Sequence, residues 1–128
     1  MSMSLAQKLA ADSIAAVAEG RNLQDVLAQI RAAHLELTAQ ENGALQDIAY
    51  GCQRYLGSLK HMLAQMLKKP IDNPQLESLL LAAMYQLHYT RNAPHAVVNE
   101  AVESIAKIGR GQYRSFANAI LRRFLRER

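Results

Sequence analysis

Apolar residues recur at helical spacing through most of the chain, and this periodicity constrains the fold more than any other feature. Ala and Leu together outnumber Val, Ile and Thr by 39 to 14, so good helix formers dominate over the β-branched residues that suit sheets. The sequence therefore predicts an all-α domain. The clearest apolar row runs through the middle of the chain: Leu45, Ile48, Ala49, Cys52, Leu56, Leu59, Leu63 and Leu67.

Start and stop signals divide this pattern into six or seven helices with short connections. A first helix is predicted over about Ser4–Ala18, and Asn22 is the N-cap of a second. The segment Thr38–Glu41 forms a capping box that opens a third, long helix. Gly57-Ser58 is expected to kink or split this long helix.

Prolines and glycines mark the helices of the second half. Asn73-Pro74 places a cap and a first-turn proline before a stretch that is apolar on more than one face. This helix is predicted to be the central and most buried one. Ala93-Pro94 starts the next helix, which ends at Gly109, and a last helix follows Gly109-Arg110-Gly111. The last helix is predicted to turn six side chains inward: Tyr113, Phe116, Ala117, Ile120, Leu121 and Phe124.

Membrane and secreted classes are disfavoured. The longest strictly apolar run, Leu79–Tyr85, has seven residues, whereas a helix needs roughly 20 to cross a bilayer. The amino-terminal residues lack the basic head and apolar stretch of a signal peptide. Cys52 is the only cysteine, so an intrachain disulfide is impossible. We expect a cytoplasmic protein without a membrane segment.

The sequence contains no recognisable active-site motif. Gly109-Arg110-Gly111 follows a predicted helix and lacks a third glycine, so a helix stop and restart explains it better than a nucleotide fingerprint. Cys52 lies on a buried row and is expected to be an inert core residue. The four histidines lack metal-ligand spacing. We expect no catalytic residue, metal or cofactor in this chain, although a catalytic carboxylate pair stays open.

Positive charge concentrates in the last third of the chain. Residues 1–50 have a net charge of −3, residues 51–90 of +2 and residues 91–128 of +5. Arg114, Asn118 and Arg122 follow an i, i+4 row away from the aromatic stripe of the last helix. Guanidinium groups match phosphate geometry well, which favours nucleic-acid binding; a solvated face whose side-chain stems cover apolar surface is the alternative. The candidate phosphate-binding residues are Arg91, Lys107, Arg110, Arg114, Arg122 and Arg123.

The segments that flank this basic helix resemble a known family. Tyr85–Glu103 resembles the fifth and sixth helices of NusB-like domains, and Phe116–Arg123 resembles their last-helix signature. This helical RNA-binding fold is that of the antitermination factor NusB. It recurs as the N-terminal domain of the Sun (RsmB) type of 16S rRNA cytosine-5 methyltransferase. The resemblance covers nearly the whole chain and implies one NusB-like domain over residues 1–128.

Two features resemble the methyltransferase branch of the family: Arg91 before Pro94-His95-Ala96, and Arg122-Arg123 before a basic tail. The chain also ends at Arg128 within a polar helix, as expected of an excised domain. The resemblance then implies a domain that recruits 16S rRNA to a C-terminal methyltransferase domain of the same polypeptide. In that domain S-adenosylmethionine would supply the methyl group, and whether the present chain belongs to an enzyme stays open.

The chain departs from the family pattern at several positions. Ala117 and Ala119 replace the commoner Val and Gly, and only Lys8 stands where NusB has an arginine-rich first helix. The matching polar residues are predicted to satisfy helix ends and one another rather than to contact RNA: Asn99, Glu100 and Asn118.

Three further possibilities stay open at this point. One is a stand-alone antitermination factor that binds transcript RNA with a ribosomal protein partner. Another is a helical interaction scaffold without RNA, in which the arginines dock an acidic domain. Because NusB-like domains can dimerise, a homodimer is also open, although the sequence identifies no apolar stripe for it.

Overall fold

A computed structural model describes residues 2–128, and within that range the chain forms seven α-helices and no strand. The prediction of an all-α fold with six or seven helices is therefore confirmed; the first residue of the predicted domain lies outside the described range. The helices are α1 (Ser4–Ala18), α2 (Leu23–Ala33), α3 (Ala39–Arg54), α4 (Leu56–Gln65), α5 (Pro74–Tyr89), α6 (Pro94–Ile105) and α7 (Arg114–Glu127).

Helix α5 lies at the centre of the bundle. It packs against α1, α3, α4, α6 and α7, whereas α2 packs on α1 and reaches α3 through the Arg31 side chain. Every residue from Ser78 to Leu87 is buried, so α5 has no solvent-facing side over its middle turns. The prediction that this helix is the central and most buried one is confirmed.

The predicted helix starts form the hydrogen bonds that their sequences require. Asn22 Oδ1 and Asn73 Oδ1 each accept a backbone N–H three residues further on, at 3.1 and 3.0 Å. At the start of α3, Thr38 Oγ1 accepts the Glu41 N–H at 3.0 Å, while Glu41 Oε1 accepts the Thr38 N–H at 2.9 Å. These caps satisfy backbone donors that have no partner inside the helix.

The long third helix breaks at Tyr55 rather than at the predicted Gly57-Ser58, which lies inside α4. Tyr55 has φ −109° and ψ 19°, outside the helical range. Its ring stacks on Tyr89 of α5, with ring centroids 3.9 Å apart and an interplanar angle of 8°. The split thus coincides with an aromatic contact to the central helix, which local glycine content does not reveal.

The predicted inward orientation of Phe116 is wrong, because its side chain is 38% exposed. Helix α7 contacts only α5 and α6, and it fills that contact with four buried residues, so Phe116 lies beside the buried face. There it lines a surface cleft of about 520 Å³ with half-buried Tyr113 and the α4–α5 connection. The four buried residues are Ala117, Ile120, Leu121 and Phe124.

Gly51 of α3 makes a close contact with the ring of Tyr85. A Cβ atom at Gly51 would lie 2.1 Å from Tyr85 Cζ and 2.3 Å from its hydroxyl oxygen. The ring is anchored because Tyr85 Oη donates a hydrogen bond of 2.8 Å to Asp47 Oδ1. Burial and the Asp47 carboxylate raise the pKa of Tyr85 well above its ordinary value, so the hydroxyl stays protonated and keeps donating.

Replacing Gly51 by alanine should lower the free energy of unfolding by about 1–3 kcal/mol, because the methyl group must displace an anchored ring. Gly43→Ala in the same helix is the matched control, since a Cβ there meets no atom within 4 Å. That control should raise the free energy of unfolding by up to about 1 kcal/mol through helix propensity. Urea denaturation followed by circular dichroism measures both, and equal stabilities of the two variants would contradict the close contact.

Candidate functional site

The candidate site lies on the solvent-facing side of α6 and α7. On each helix, polar residues spaced about one turn apart form a row. The two rows face each other along the contact between the helices. We call these six residues the polar seam: His95, Asn99 and Glu103 of α6, and Arg114, Asn118 and Arg122 of α7.

Two arginines hold the seam together. Arg114 Nη2 lies 3.1 Å from Glu103 Oε1. Arg122 Nη2 donates to Asn99 Oδ1 at 3.3 Å, and its Nη1 lies 3.4 Å from His95 Nδ1. Because the first residue of the α7 row meets the last of the α6 row, the two helices run antiparallel. A shallow groove of about 440 Å³ lies along the part of the seam that contains Asn99, Glu103, Arg114 and Asn118.

The ion pairs at the site are weak enough to exchange for another anion. The side chains of Arg114 and Glu103 are 55% and 65% exposed. Arg123 forms a second exposed pair, 3.1 Å from Glu127 on the outer side of α7. Pairs of this exposure contribute at most about 1 kcal/mol, so a phosphate can replace either carboxylate at small cost.

Arg91 and Arg110 lie beyond the two ends of the seam. Arg91 lies in the α5–α6 connection, four residues before His95, and Arg110 lies in the α6–α7 connection, four residues before Arg114. Both side chains are exposed, and neither makes a hydrogen bond or ion pair with any residue in the 2–128 range. The connectivity therefore adds one arginine at each end of the seam.

Lys107 lies apart from the other predicted residues. It lines a cleft of about 510 Å³ that is shared with Lys8 of α1. Lys8 Nζ is 2.8 Å from Asp12 Oδ2 in the same cleft. Lys8 was not among the predicted site residues; no local signal joins two lysines so far apart in sequence, and only the packing of α1 against α6 reveals the pair.

Comparison with known sequences decides the family. Residues 4–126 match the NusB family. The chain belongs to the NusB family. The predicted resemblance is thus confirmed over almost the whole chain.

Several proteins of similar sequence are ribosomal RNA small subunit methyltransferases B, and the chain matches their amino-terminal region. The protein of Pectobacterium carotovorum is 34% identical over 120 residues, which are 90% of this chain. That of Sodalis glossinidius is 34% identical over 122 residues, or 93% of this chain, and that of Klebsiella pneumoniae is 32% identical over 124 residues, or 94%. The chain spans only 28% of the length of each relative.

Among the polar residues that match the NusB-family motif, Glu100 has a structural role. Its Oε2 atom accepts the Met3 backbone N–H at 2.9 Å and the Ser2 hydroxyl at 3.2 Å. Met3 is the residue that precedes α1, so α6 caps the start of α1 through this carboxylate. The predicted role at a helix end is confirmed for Glu100 but not for Asn99, whose Oδ1 accepts from Arg122, or for Asn118, which lines the same groove.

The NusB-family domain places its single cysteine in the core. Cys52 Sγ lies 3.8 Å from the Leu81 carbonyl oxygen, and burial raises the pKa of the thiol. The thiolate is therefore disfavoured, and Cys52 acts as a packing residue. Within residues 2–128, no three His, Cys, Asp or Glu side chains gather as metal ligands would. None of the helices described there combines the length and apolarity that a bilayer span needs.

Replacing Glu100 by alanine should lower the free energy of unfolding by about 1 kcal/mol, because the start of α1 loses its acceptor. The variant should also speed hydrogen exchange at the Met3 amide. Glu103→Ala is the matched control on the same helix, since its pair with Arg114 is exposed and its loss should destabilise the domain less than the loss of the Glu100 acceptor. Chemical denaturation and amide exchange measure these effects, and indistinguishable variants would argue against the cap.

Proposed function

We propose that this domain binds RNA and recruits 16S rRNA for a cytosine-5 methyltransferase. The polar seam carries this proposal, because it presents guanidinium and amide groups together on an exposed groove between two rigid helices. A partner with regularly spaced negative charges and adjacent hydroxyl groups fits such a groove. RNA has both, since its phosphates accept from arginine and its 2′-hydroxyls pair with amides.

Each predicted residue has a defined part in this proposal. Arg114 and Arg122 hold phosphates along the seam, and Arg91 and Arg110 extend the path beyond its two ends. Arg123 contacts the backbone from the outer side of α7 after releasing Glu127. Lys107 acts from the separate cleft together with Lys8, as a second anion contact. Binding through such groups gains free energy from counterion release and weakens steeply with salt.

The methyltransferase part of the proposal is supported by the relatives, whose name states that activity. The present chain covers 28% of their length, and we assign it the holding of the substrate. Transfer of the methyl group from S-adenosylmethionine would belong to a methyltransferase domain of the same polypeptide. This division assigns no catalytic residue to the chain.

Replacing both seam arginines, by Arg114→Gln with Arg122→Gln, should weaken RNA binding in a salt-dependent manner. Each lost phosphate contact on a single strand lowers the slope of log affinity against log salt by about 0.7. The double variant should therefore lose about 1.4 from this slope. Filter binding over a range of salt concentrations, with a fragment of 16S rRNA, measures the change.

A control variant removes the same number of charges elsewhere. Arg21→Gln with Lys60→Gln alters the α1–α2 connection and α4, and neither α2 nor α4 contacts α6 or α7. This control should keep the wild-type slope. Equal losses in both double variants would mean that net charge alone drives binding. Absence of RNA retention by the wild-type domain at low ionic strength would instead favour a protein-interaction scaffold.

A further inference from the structure

A continuous row of aromatic rings crosses the end of α5. Tyr55 and Tyr89 stack face to face, with centroids 3.9 Å apart. The His88 ring meets Tyr89 edge-on at 4.7 Å, and it lies 6.0 Å from the ring of Phe124 in α7. We call Tyr55, Tyr89, His88 and Phe124 the aromatic row. It connects the α3–α4 break to the helix that carries the seam arginines.

The row is open to solvent along part of its length. Phe124 and the neighbouring Tyr85 are buried, at 4% and 6% exposure. Tyr55 and Tyr89 are only half-buried, and His88 is exposed. Tyr55 and Tyr89 also pack against the core and cover one ring face of each other. Both still leave part of their surface to solvent, as His88 does.

Positive charge flanks the accessible rings. Arg54 directly precedes Tyr55, and Arg91 follows Tyr89 by two residues; both arginines are exposed. Across residues 2–128, no hydrogen bond or ion pair engages the side chain of either one. The Asp47 carboxylate, which contacts the neighbouring Tyr85, already accepts a hydrogen bond of 2.8 Å from its hydroxyl. Aromatic rings interleaved with free arginines are typical of surfaces that bind single-stranded nucleic acid.

We propose that unpaired RNA bases stack on the accessible rings of Tyr55, Tyr89 and His88, while Arg54 and Arg91 hold the flanking phosphates. This inference rests on the proposed RNA-binding function and adds to it the surface on which unpaired bases stack. The ligand is single-stranded, because bases in a duplex do not offer their faces to a protein. In this arrangement the polar seam binds the phosphate backbone of the RNA, and the aromatic row binds unpaired bases of the same strand.

Two probes of equal length separate base stacking from phosphate binding: an oligoadenylate, and an abasic oligoribonucleotide that keeps the phosphates. The wild-type domain should bind the oligoadenylate about tenfold or more tightly than the abasic probe. Tyr55→Leu and Tyr89→Leu should each weaken oligoadenylate binding by about tenfold, because a base loses a stacking partner. Neither substitution should change the affinity for the abasic probe.

Conservative and distant variants serve as controls. Tyr55→Phe and Tyr89→Phe keep the aromatic face and should keep wild-type affinity for both probes. Tyr50→Leu removes a tyrosine of α3 that is 40% exposed and lies outside the row, and it should have no effect. Because the chain has no tryptophan, its emission comes from tyrosine and should be quenched by the oligoadenylate but not by the abasic probe.

The outcomes separate the two proposals. Equal wild-type affinity for both probes, or unchanged tyrosine emission at saturation with oligoadenylate, overturns stacking even if a leucine variant fails to fold. If the Arg114, Arg122 double variant weakens both probes while the folded leucine variants weaken neither, RNA binding stands and stacking fails. Equal losses for both probes in a leucine variant would indicate a packing defect and count against stacking. No binding of either probe overturns stacking, and no retention of the 16S rRNA fragment as well overturns both proposals.

Discussion

The burial of α5 is the constraint on which the rest of the structure depends. Because its middle turns have no solvent-facing side, five other helices must each give one apolar face to cover it. Covering a largely apolar helix removes a large area from water and is the main stabilising contribution available to a domain of this size. It also decides which faces remain outside. The outward sides of α6 and α7 are therefore adjacent, and their polar rows meet in one seam.

A buried network of hydrogen bonds connects α5 to α1, to α6 and to the α5–α6 connection at the surface. Gln7 Nε2 of α1 donates to Gln86 Oε1 of α5 at 2.8 Å and to the Val97 carbonyl oxygen of α6 at 3.3 Å. Gln86 Nε2 in turn donates to Asn92 Oδ1 at 3.2 Å. Hydrogen bonds of this kind are costly to leave unmade in a core, so the network fixes how the chain leaves α5. Arg91 lies inside that fixed connection.

Local chemistry could be predicted from the sequence, whereas contacts between distant segments could not. The caps at Asn22, Thr38 and Asn73 act within three residues, and so their residue types suffice to place the helix starts. The i, i+4 row of α7 was visible for the same reason. The break at Tyr55 depends on a ring of another helix, and no residue type near Tyr55 reports it.

The candidate site likewise combines local features that the sequence predicts with long-range contacts that only the packing reveals. The spacing of Arg114, Asn118 and Arg122 indicated one face of a helix, but the facing row of α6 follows only from antiparallel packing. Proximity in sequence groups Lys107 with the arginines, whereas the fold places it in a separate cleft that Lys8 also lines. The helical periodicity of α7 predicts that Phe116 is buried. The face of α7 that packs against α5 and α6 is too narrow to include it.

The two arginine–glutamate pairs affect how strongly this surface attracts a distant anion. A guanidinium 3.1 Å from a carboxylate is an electric dipole to a remote ligand, and its field decays faster than that of a lone charge. In the proposed RNA binding, long-range attraction, which accelerates diffusional encounter, would therefore come from arginines without a carboxylate partner, such as Arg91, Arg110 and Arg122. In the same proposal Arg114 and Arg123 would act mainly at contact, where they would influence how long a complex lasts rather than how often it forms.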